Sequence, residues 1–431
     1  MSETWSVEEH LDDILSSVRP LEPIELQLLD AQGCVLVEDV SVPTSLPPFD
    51  NSSMDGYAVR TADVEGASEE FPAVLAVIGD VAAGSGDLPV VGPGQAARIM
   101  TGAAMPPGAE AVVPVEWTDG GLGAGPVESM LPGAGVDGEV RVHRPVTTAQ
   151  HVRPRGSDVR AGALALSAGT VLGPPQVGLL AAIGRARVKV RPRPRVVVVS
   201  TGSELIQPGE QLGSGQIYDS NSFVLTSAAR DAGAIAYRVG SVTDDADTLR
   251  ATIEDQLIRA DIIVTSGGVS VGAYDVVKEV LSQIDEGSGN VEFRRLAMQP
   301  GKPQGFGLIG PDRTPVVALP GNPVSSYVSF ELFVRPAVRA LMGRASVRRE
   351  TARASLDVEE ALTSPGGKRQ FLRGSYLPPA TGEALGSVRP VGGAGSHLIA
   401  ALAQANVLID VPEKTTRLTP GEEVTVVLLD Q

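Results

Sequence analysis

The sequence predicts a multidomain α/β protein built on a central parallel sheet, and three observations predict it. Two β-branched runs, Val196 through Val199 and Ile262 through Val264, are apolar on both faces, the pattern of strands covered by helices. Each run ends abruptly in small residues, Ser200-Thr201-Gly202-Ser203-Glu204 and Thr265-Ser266-Gly267-Gly268. Between them, residues 222–231, stopped by Gly233, and residues 247–259, with Leu249, Ile253 and Leu257 four apart, read as helices. On either side, residues 74–141 and 344–431 carry short β runs between glycine- and proline-rich turns, which predicts two smaller β-rich modules. Strand and helix alternation implies parallel strands with right-handed crossovers, and such sheets bind ligands beyond the carboxyl ends of their strands. The two small-residue loops should therefore share one edge.

A chain of 431 residues is too long for one ordinary core and suggests about two to four domains. With 42% apolar and 20% charged residues the composition is globular, and its 49 glycines and 33 prolines imply many turns. The single cysteine, Cys34, excludes an intramolecular disulfide and a thiolate metal cluster, and suits a reducing, cytoplasmic setting. The acidic start (Glu3, Glu8, Glu9, Asp12, Asp13) is not a signal peptide, and no apolar run reaches the roughly 18 residues of a membrane span. A net charge of −17 argues against an extended nucleic-acid surface, though not against a local phosphate pocket.

Taken in order, residues 7–18 place Leu11, Ile14, Leu15 and Val18 at helical spacing, an amphipathic opening helix. Residues 35–40 read as a strand broken by Pro43, Pro47 and Pro48. In the following loop, Asp50 and Asn51 suit an Asx-turn, whereas Asp55, beside Gly56 and Tyr57, is a candidate carboxylate for a ligand or metal. Thr101-Gly102 ends a short run and could offer a backbone N–H and a hydroxyl to an anion, or could be a plain tight turn. The Gly120–Gly125 glycines lack a strand-loop-helix context and read as a flexible hairpin tip. Alternating basic residues from Arg185 to Arg195 read as a solvated edge or linker, with a phosphate track as the lesser alternative. His143 and His151 read as surface residues and His397 as a loop residue.

After a helix over 275–284, two further loops follow, Gln299-Pro300-Gly301-Lys302-Pro303 and Leu319-Pro320-Gly321-Asn322-Pro323. The second opens a long helix reaching Met342, with Pro323 in its first turn and Ser325 and Ser326 at a natural anion position. Residues 343–353 read as a linker. The presumed binding edge thus gathers Ser200, Thr201, Ser203, Glu204, Asp219, Ser220, Asn221, Thr265, Ser266, Ser270, Asp275, Lys302, Asn322 and Ser325. Hydroxyls and amides suit an oxyanion, but carboxylates beside them would repel it unless a divalent cation lies between, so the composition points to phosphoanhydride or oxyanion chemistry with Mg2+.

The motifs themselves resemble those of MoeA-type molybdopterin molybdenumtransferases, relatives of the gephyrin E domain. The matching stretches are PFDNSSMDGYAVR (48–60), RIMTGAAMPPGAEAVVP (98–114), STGSEL (200–205), IYDSN (217–221), TSGGVSVGAYD (265–275), PGKP (300–303), LPGNPVS (319–325) and GSHLIAALAQAN (395–406). They span nearly the whole chain in order. The resemblance implies an N-terminal helical part and linker over 1–175 with a β-rich lobe inserted at about 45–142. It also implies a central molybdopterin-binding α/β domain over 176–343 and a C-terminal β-barrel-like domain over 344–431.

It further implies a homodimer in which the lobe of one subunit faces the central domain of the other. The implied reaction inserts molybdenum from molybdate into adenylylated molybdopterin, with Mg2+-dependent cleavage of the adenylate and release of AMP. Asp55, Glu204, Asp244, Asp275 and Lys302 match the family's catalytic positions, with Glu204, Asp244 and Asp275 as Mg2+ ligands. Thr101, Ser200, Thr201, Gly202, Asp219, Ser220, Asn221, Ser266, Gly267, Gly268, Ser270, Pro300, Gly301, Asn322 and Ser325 match its cofactor-binding positions. A molybdopterin adenylyltransferase is an implied partner. Two positions depart from the family pattern: Gln299 stands where a lysine is common, which leaves one lysine in the anion loop, and Ala273 where an acidic residue is frequent. The alternatives are a molybdopterin adenylyltransferase, which would lack the flanking modules, and a non-catalytic scaffold of the gephyrin E-domain type.

Overall fold

The computed structural model describes residues 4–130, 138–242, 245–268, 276–283, 291–382 and 384–429. The chain forms two compact units. One comprises Met1–Leu26, Ala31–Val37 and Lys189–Gln431, the other Gln27–Asp30 and Glu38–Val188.

The first unit is built on a seven-stranded sheet ordered Thr4–Trp5, Val291–Leu296, Pro303–Ile309, Thr314–Leu319, Ile262–Ser266, Arg195–Thr201, Ile235–Val242. The strands Arg195–Thr201, Ile235–Val242, Ile262–Ser266 and Thr314–Leu319 are parallel, as the alternation predicts. Pro303–Ile309 is antiparallel to both neighbours, because it joins Thr314–Leu319 through a short turn that cannot supply a crossover. Both faces are covered. Val196, Val198, Ile262 and Val264 pack with Leu225 and Ala229 of the helix Asn221–Asp231, and with Leu11 and Ile14 of the helix Val7–Ser17. Val197, Val199 and Ile263 pack with Leu249 and Ile253 of the helix Ala246–Leu257, and with Val277, Val280 and Leu281. That two-sided cover is why these strands read as unbroken apolar runs rather than alternating ones.

The expected long helix begins at Pro323 but contains a π segment, Phe330–Val334, before it continues as Arg335–Leu341. Pro336 lacks an N–H and its ring crowds the preceding turn, and a wider turn just upstream relieves both. In the C-terminal part, Arg369–Leu377, Gly386–Pro390, Thr351–Leu356, Glu423–Leu428 and Val407–Val411 pair in that order, and the last pairs again with the first, closing a five-stranded barrel around Leu356, Val388, Ile409 and Val426.

The second unit holds a five-stranded sheet ordered Glu139–Val142, Ala73–Val81, Gln95–Ile99, Gly56–Val59, Ala111–Pro114. Four expectations change here and in the first unit. The strand expected over 35–40 is two short pieces, Val35–Leu36 and Val40–Ser41, because the first pairs with Arg187–Arg191 and the second with Leu164–Leu166. The Arg185–Arg195 run is solvated only in its first half. Arg191 donates to Leu21 O at 2.7 Å, Arg193 to Gly233 O and Ala234 O at 2.8 Å each, and Arg195 forms a bidentate pair with Asp261, so its second half braces the unit. His143 is buried rather than at the surface, its N–H donating to Trp117 O at 2.9 Å. The glycine-rich tip after Asp119 is organised as well: that buried carboxylate accepts from Gly121, Gly123 and Arg141 N–H groups.

His10 was not singled out by its spacing, yet it is fully buried, edge-on to Phe333 with ring centroids 4.8 Å apart, and neither ring nitrogen has a hydrogen-bond partner among the described residues. Burial, helped by nearby Arg294 and opposed by Asp13, pushes its pKa down to about 4. The unfolded chain therefore takes up a proton as pH falls below about 6.5 while the folded protein does not. Stability should fall between pH 6.5 and 4 by on the order of 3 kcal/mol from this residue. Urea unfolding of wild type and His10→Leu across that range should show wild type losing stability relative to the variant as pH falls.

Candidate functional site

The parallel register brings three loops to one edge. Ser200 pairs with Ser266, and Ser266 with Leu319, so the chain leaves the sheet side by side at Thr201, Gly267 and Pro320. Gly267 has φ +104°, and a Cβ on it would lie 2.6 Å from Thr201 O, so only glycine lets the second loop rest on the first. Asn221, at the start of its helix, donates to Ser266 Oγ at 2.8 Å and to Gly321 O at 2.6 Å, while Ser266 Oγ lies 3.3 Å from Ser326 Oγ. The amide thus fixes the second and third loops to each other. Thr201 Oγ1 reaches Ser266 O at 3.4 Å, and Ser200 Oγ is buried without a partner among the described residues.

Several site residues expected from sequence face the protein rather than open space. Asp219 is buried, and its carboxylate accepts from Ser222 N–H at 3.0 Å and Ser222 Oγ at 2.5 Å, with Arg238 at 3.9 Å; it anchors the start of the Asn221–Asp231 helix. Ser220 precedes that helix, and its carbonyl accepts from Val224 N–H. Glu204 is exposed and its carboxylate folds over Gly202, lying 2.6 Å from where a Cβ would stand there. That carboxylate has no hydrogen-bond or ion-pair partner among the described residues, so a hard oxygen donor suited to Mg2+ is available. Ser270, Asp275, Ala273 and Asp244 lie outside the described residues, and among the described residues no three His, Cys, Asp or Glu side chains converge as a metal set.

In the second unit, Asp55 and Thr101 meet. Asp55 Oδ1 accepts from Thr101 N–H at 2.6 Å and from its hydroxyl at 2.9 Å. The donors that sequence offered to an external anion are therefore taken by an internal one, while Asp55 remains an exposed residue. Ser52 shapes that loop: its hydroxyl donates to Met54 O at 2.6 Å, and its backbone pairs with Gly102 and Ala103.

Back in the first unit, a cleft of about 440 Å³ is lined by Gln299, Pro300, Gly301, Lys302, Ser325, Lys368, Ser396 and His397, among others. Its lining contains no aspartate or glutamate. Gly301, at φ +101°, presses against Ser329 and Met298, and buried Gln304 donates to Gly301 O at 2.7 Å and Ser329 Oγ at 2.6 Å, which fixes the loop that exposes Lys302. Opposite, buried Arg373 donates to Gly393 O and to Gly395 O at 3.1 Å, and Ser396 O accepts from Val324 N–H at 3.0 Å. Burial holds the Arg373 pKa below its ordinary value. Asn322 is exposed at the head of the Pro323 helix, with no capping bond from its side chain.

Sequence reading did not assign Lys368, Arg373, Ser396 or His397 to the site. The last two lie in the GSHLIAALAQAN stretch, but nothing local says that it meets PGKP.

Comparison with known proteins fits this geometry. Family models match along the chain: the MoeA N-terminal region (domain I and II) at residues 5–184, a probable molybdopterin binding domain at 197–340, and the MoeA C-terminal region (domain IV) at 351–429. Molybdopterin molybdenumtransferase 2 of Mycobacterium tuberculosis is 44% identical over 423 residues, covering 98% of each chain. Molybdopterin molybdenumtransferase of Haemophilus influenzae is 34% identical over 94% of each. Among solved structures, a molybdopterin biosynthesis MoeA protein from Pyrococcus horikosii superposes with a TM-score of 0.74 at 33% identity, over 100% of both chains.

Because Gly267 combines a left-handed φ with a 2.6 Å approach to a backbone carbonyl, Gly267→Ala should destabilise the protein by about 2 kcal/mol or more. Denaturant midpoints at unchanged slope measure it. From its motifs, its fold and its relatives together, the chain belongs to the MoeA family of molybdopterin molybdenumtransferases.

Proposed function

We propose that this protein acts in molybdenum cofactor biosynthesis as a molybdopterin molybdenumtransferase, inserting molybdenum from molybdate into adenylylated molybdopterin with Mg2+-dependent cleavage of the adenylate and release of AMP. The observation that carries the reading is the acid-free cleft at Pro300–Pro303, because such a lining in a chain of net charge −17 suits a tetrahedral oxyanion. Lys302 supplies the charge, Ser325 and Ser396 the hydroxyl donors, and Arg373 holds the wall that carries Ser396.

The pterin phosphate is assigned to the glycine and hydroxyl loops after Thr201 and Ser266, where glycines let an anion approach the backbone without Cβ obstruction. Glu204, with Asp244 and Asp275, would hold Mg2+, which when bound neutralises anhydride oxygens. Asp55, oriented by Thr101, would position the water that attacks the anhydride phosphorus, so that the bond to AMP breaks and AMP leaves. Asn221 and Asp219 act by holding loops in place.

The four-part division of the subunit, a cytoplasmic homodimer, and delivery of substrate by a molybdopterin adenylyltransferase belong to the same proposal. Presence of both flanking modules disfavours an adenylyltransferase for this chain, and a free Glu204 together with an exposed Lys302 favours catalysis over a scaffold.

Turnover of adenylylated molybdopterin with and without molybdate tests the assignment: AMP release and molybdenum insertion are expected, and neither occurring would remove it. Lys302→Ala should raise the molybdate concentration for half-maximal insertion by roughly tenfold or more, since a charge-assisted hydrogen bond contributes on the order of 1.5–3 kcal/mol. In subunit mixtures, Asp55→Ala and Lys302→Ala parents should each be impaired, whereas their heterodimers should regain one working site of two if the site is shared across a dimer. Exchange without recovery would count against sharing.

A further inference from the structure

We propose that Lys368 is a second fixed cation of the oxyanion cleft, standing in space where Gln299 fails to provide one in sequence. The inference rests on the oxyanion reading above. Lys368 and Gln299 line the same cleft as Lys302, Ser325 and Ser396, although 69 positions separate the first two in the chain.

The backbone explains how Lys368 arrives there. The two-residue strand Met298–Gln299 pairs in parallel with the start of Arg369–Leu377, Met298 opposite Arg369 and Gln299 opposite Gln370. Arg369 N–H donates to Ala297 O at 2.8 Å, which sets Lys368 beside the chain just upstream of the PGKP loop. Lys368 is the bend residue just before the strand that Arg369 opens. Arg369 is pinned by Asp410, at 2.7 and 2.6 Å, and by Glu8. Asp410 and Glu8 are thereby both engaged by Arg369.

Lys368 is only half-exposed, yet it has no hydrogen bond or ion pair among the described residues. In a chain with 52 acidic and 35 basic residues, a half-buried ammonium facing a lining without a carboxylate is a poor structural choice. It becomes a good one when a doubly charged oxyanion enters. The departure at Gln299 therefore need not weaken the site: the pair of cations is kept, with one of them supplied from the barrel.

Equilibrium dialysis of molybdate against the full chain, alongside the insertion assay, tests this with five proteins. Lys368→Ala should weaken molybdate binding roughly tenfold while the rate at saturating molybdate and the KM for adenylylated molybdopterin stay within twofold. Lys368→Arg should bind like wild type, and adding Gln299→Lys to Lys368→Ala should restore affinity to within threefold. Thermal melting of each variant confirms that the fold is intact. Wild-type affinity in Lys368→Ala beside a weakened Lys302→Ala would overturn the role of Lys368 and leave the cleft assignment standing. Unchanged binding in both variants would overturn the cleft assignment too. A loss that neither arginine nor Gln299→Lys recovers would also overturn the proposal, because packing rather than charge would then be responsible.

Discussion

The parallel pairing of Met298–Gln299 with Arg369–Gln370 is the small contact on which the cleft depends. It is two residues long, and so short a ladder is marginal without support. Support comes from three directions: Arg369 N–H on Ala297 O, the Arg369 guanidinium held between Asp410 and Glu8, and the closed barrel, in which the rest of the Arg369 strand pairs with Val407–Val411 and Gly386–Pro390. A closed barrel has no free edge to drift, so a strand leaving it presents its first residues at a defined place. The PGKP loop is held from the opposite side by Gln304 and Ser329, so both walls of the cleft are tied to rigid elements.

At the carboxyl edge of the sheet a different constraint operates, that of backbone on backbone. Gly267 resting on Thr201 leaves no room for side chains between the loops, and Asn221 replaces the packing that would otherwise be lost with two amide hydrogen bonds. The glycine N–H groups are spent in the same bracing, Gly202 on Val242 O and Gly267 on Leu319 O at 3.2 Å each. Asp219 contributes from behind, because its two oxygens are both occupied by Ser222. The acidic residue that a motif marks as binding can thus shape a binding loop without touching what it holds.

Local patterns made much of this legible. The β-branched runs ending at Ser200 and Thr265 announced buried parallel strands, since no other environment tolerates apolar residues on both faces, and the shared edge followed from topology alone. What could not be read was anything set by pairing across long stretches of chain. Thr101 looked like an anion donor because its partner, Asp55, lies 46 residues away. Gln299 looked like a missing charge because Lys368 belongs to another module. The π turn before Pro336 and the burial of His10 likewise depend on what packs around them, and their own neighbours in sequence give no sign of it. Ser270, Asp244 and Asp275 lie outside the described residues, so their contribution rests on the motifs.

In the first unit Glu204 stands apart from Lys302 and Lys368, and that separation bears on the proposed use of two kinds of ion. Glu204 stands exposed at the sheet edge without a cationic partner among the described residues, while Lys302 and Lys368 stand in a cleft whose lining has no acid. Had Glu204 faced either lysine directly, the pair would have neutralised itself, and both the affinity for a hard cation and that for an oxyanion would have been lost to an internal salt bridge. Elsewhere in the unit the chain does make such pairs: Arg195 with Asp261, Arg349 with Glu331, Arg369 with Asp410. Charges that serve the fold are paired internally. Among the described residues, Glu204 and the two cleft lysines are left open in separate places, as the proposed reaction, with its divalent cation, phosphoanhydride and oxyanion, requires.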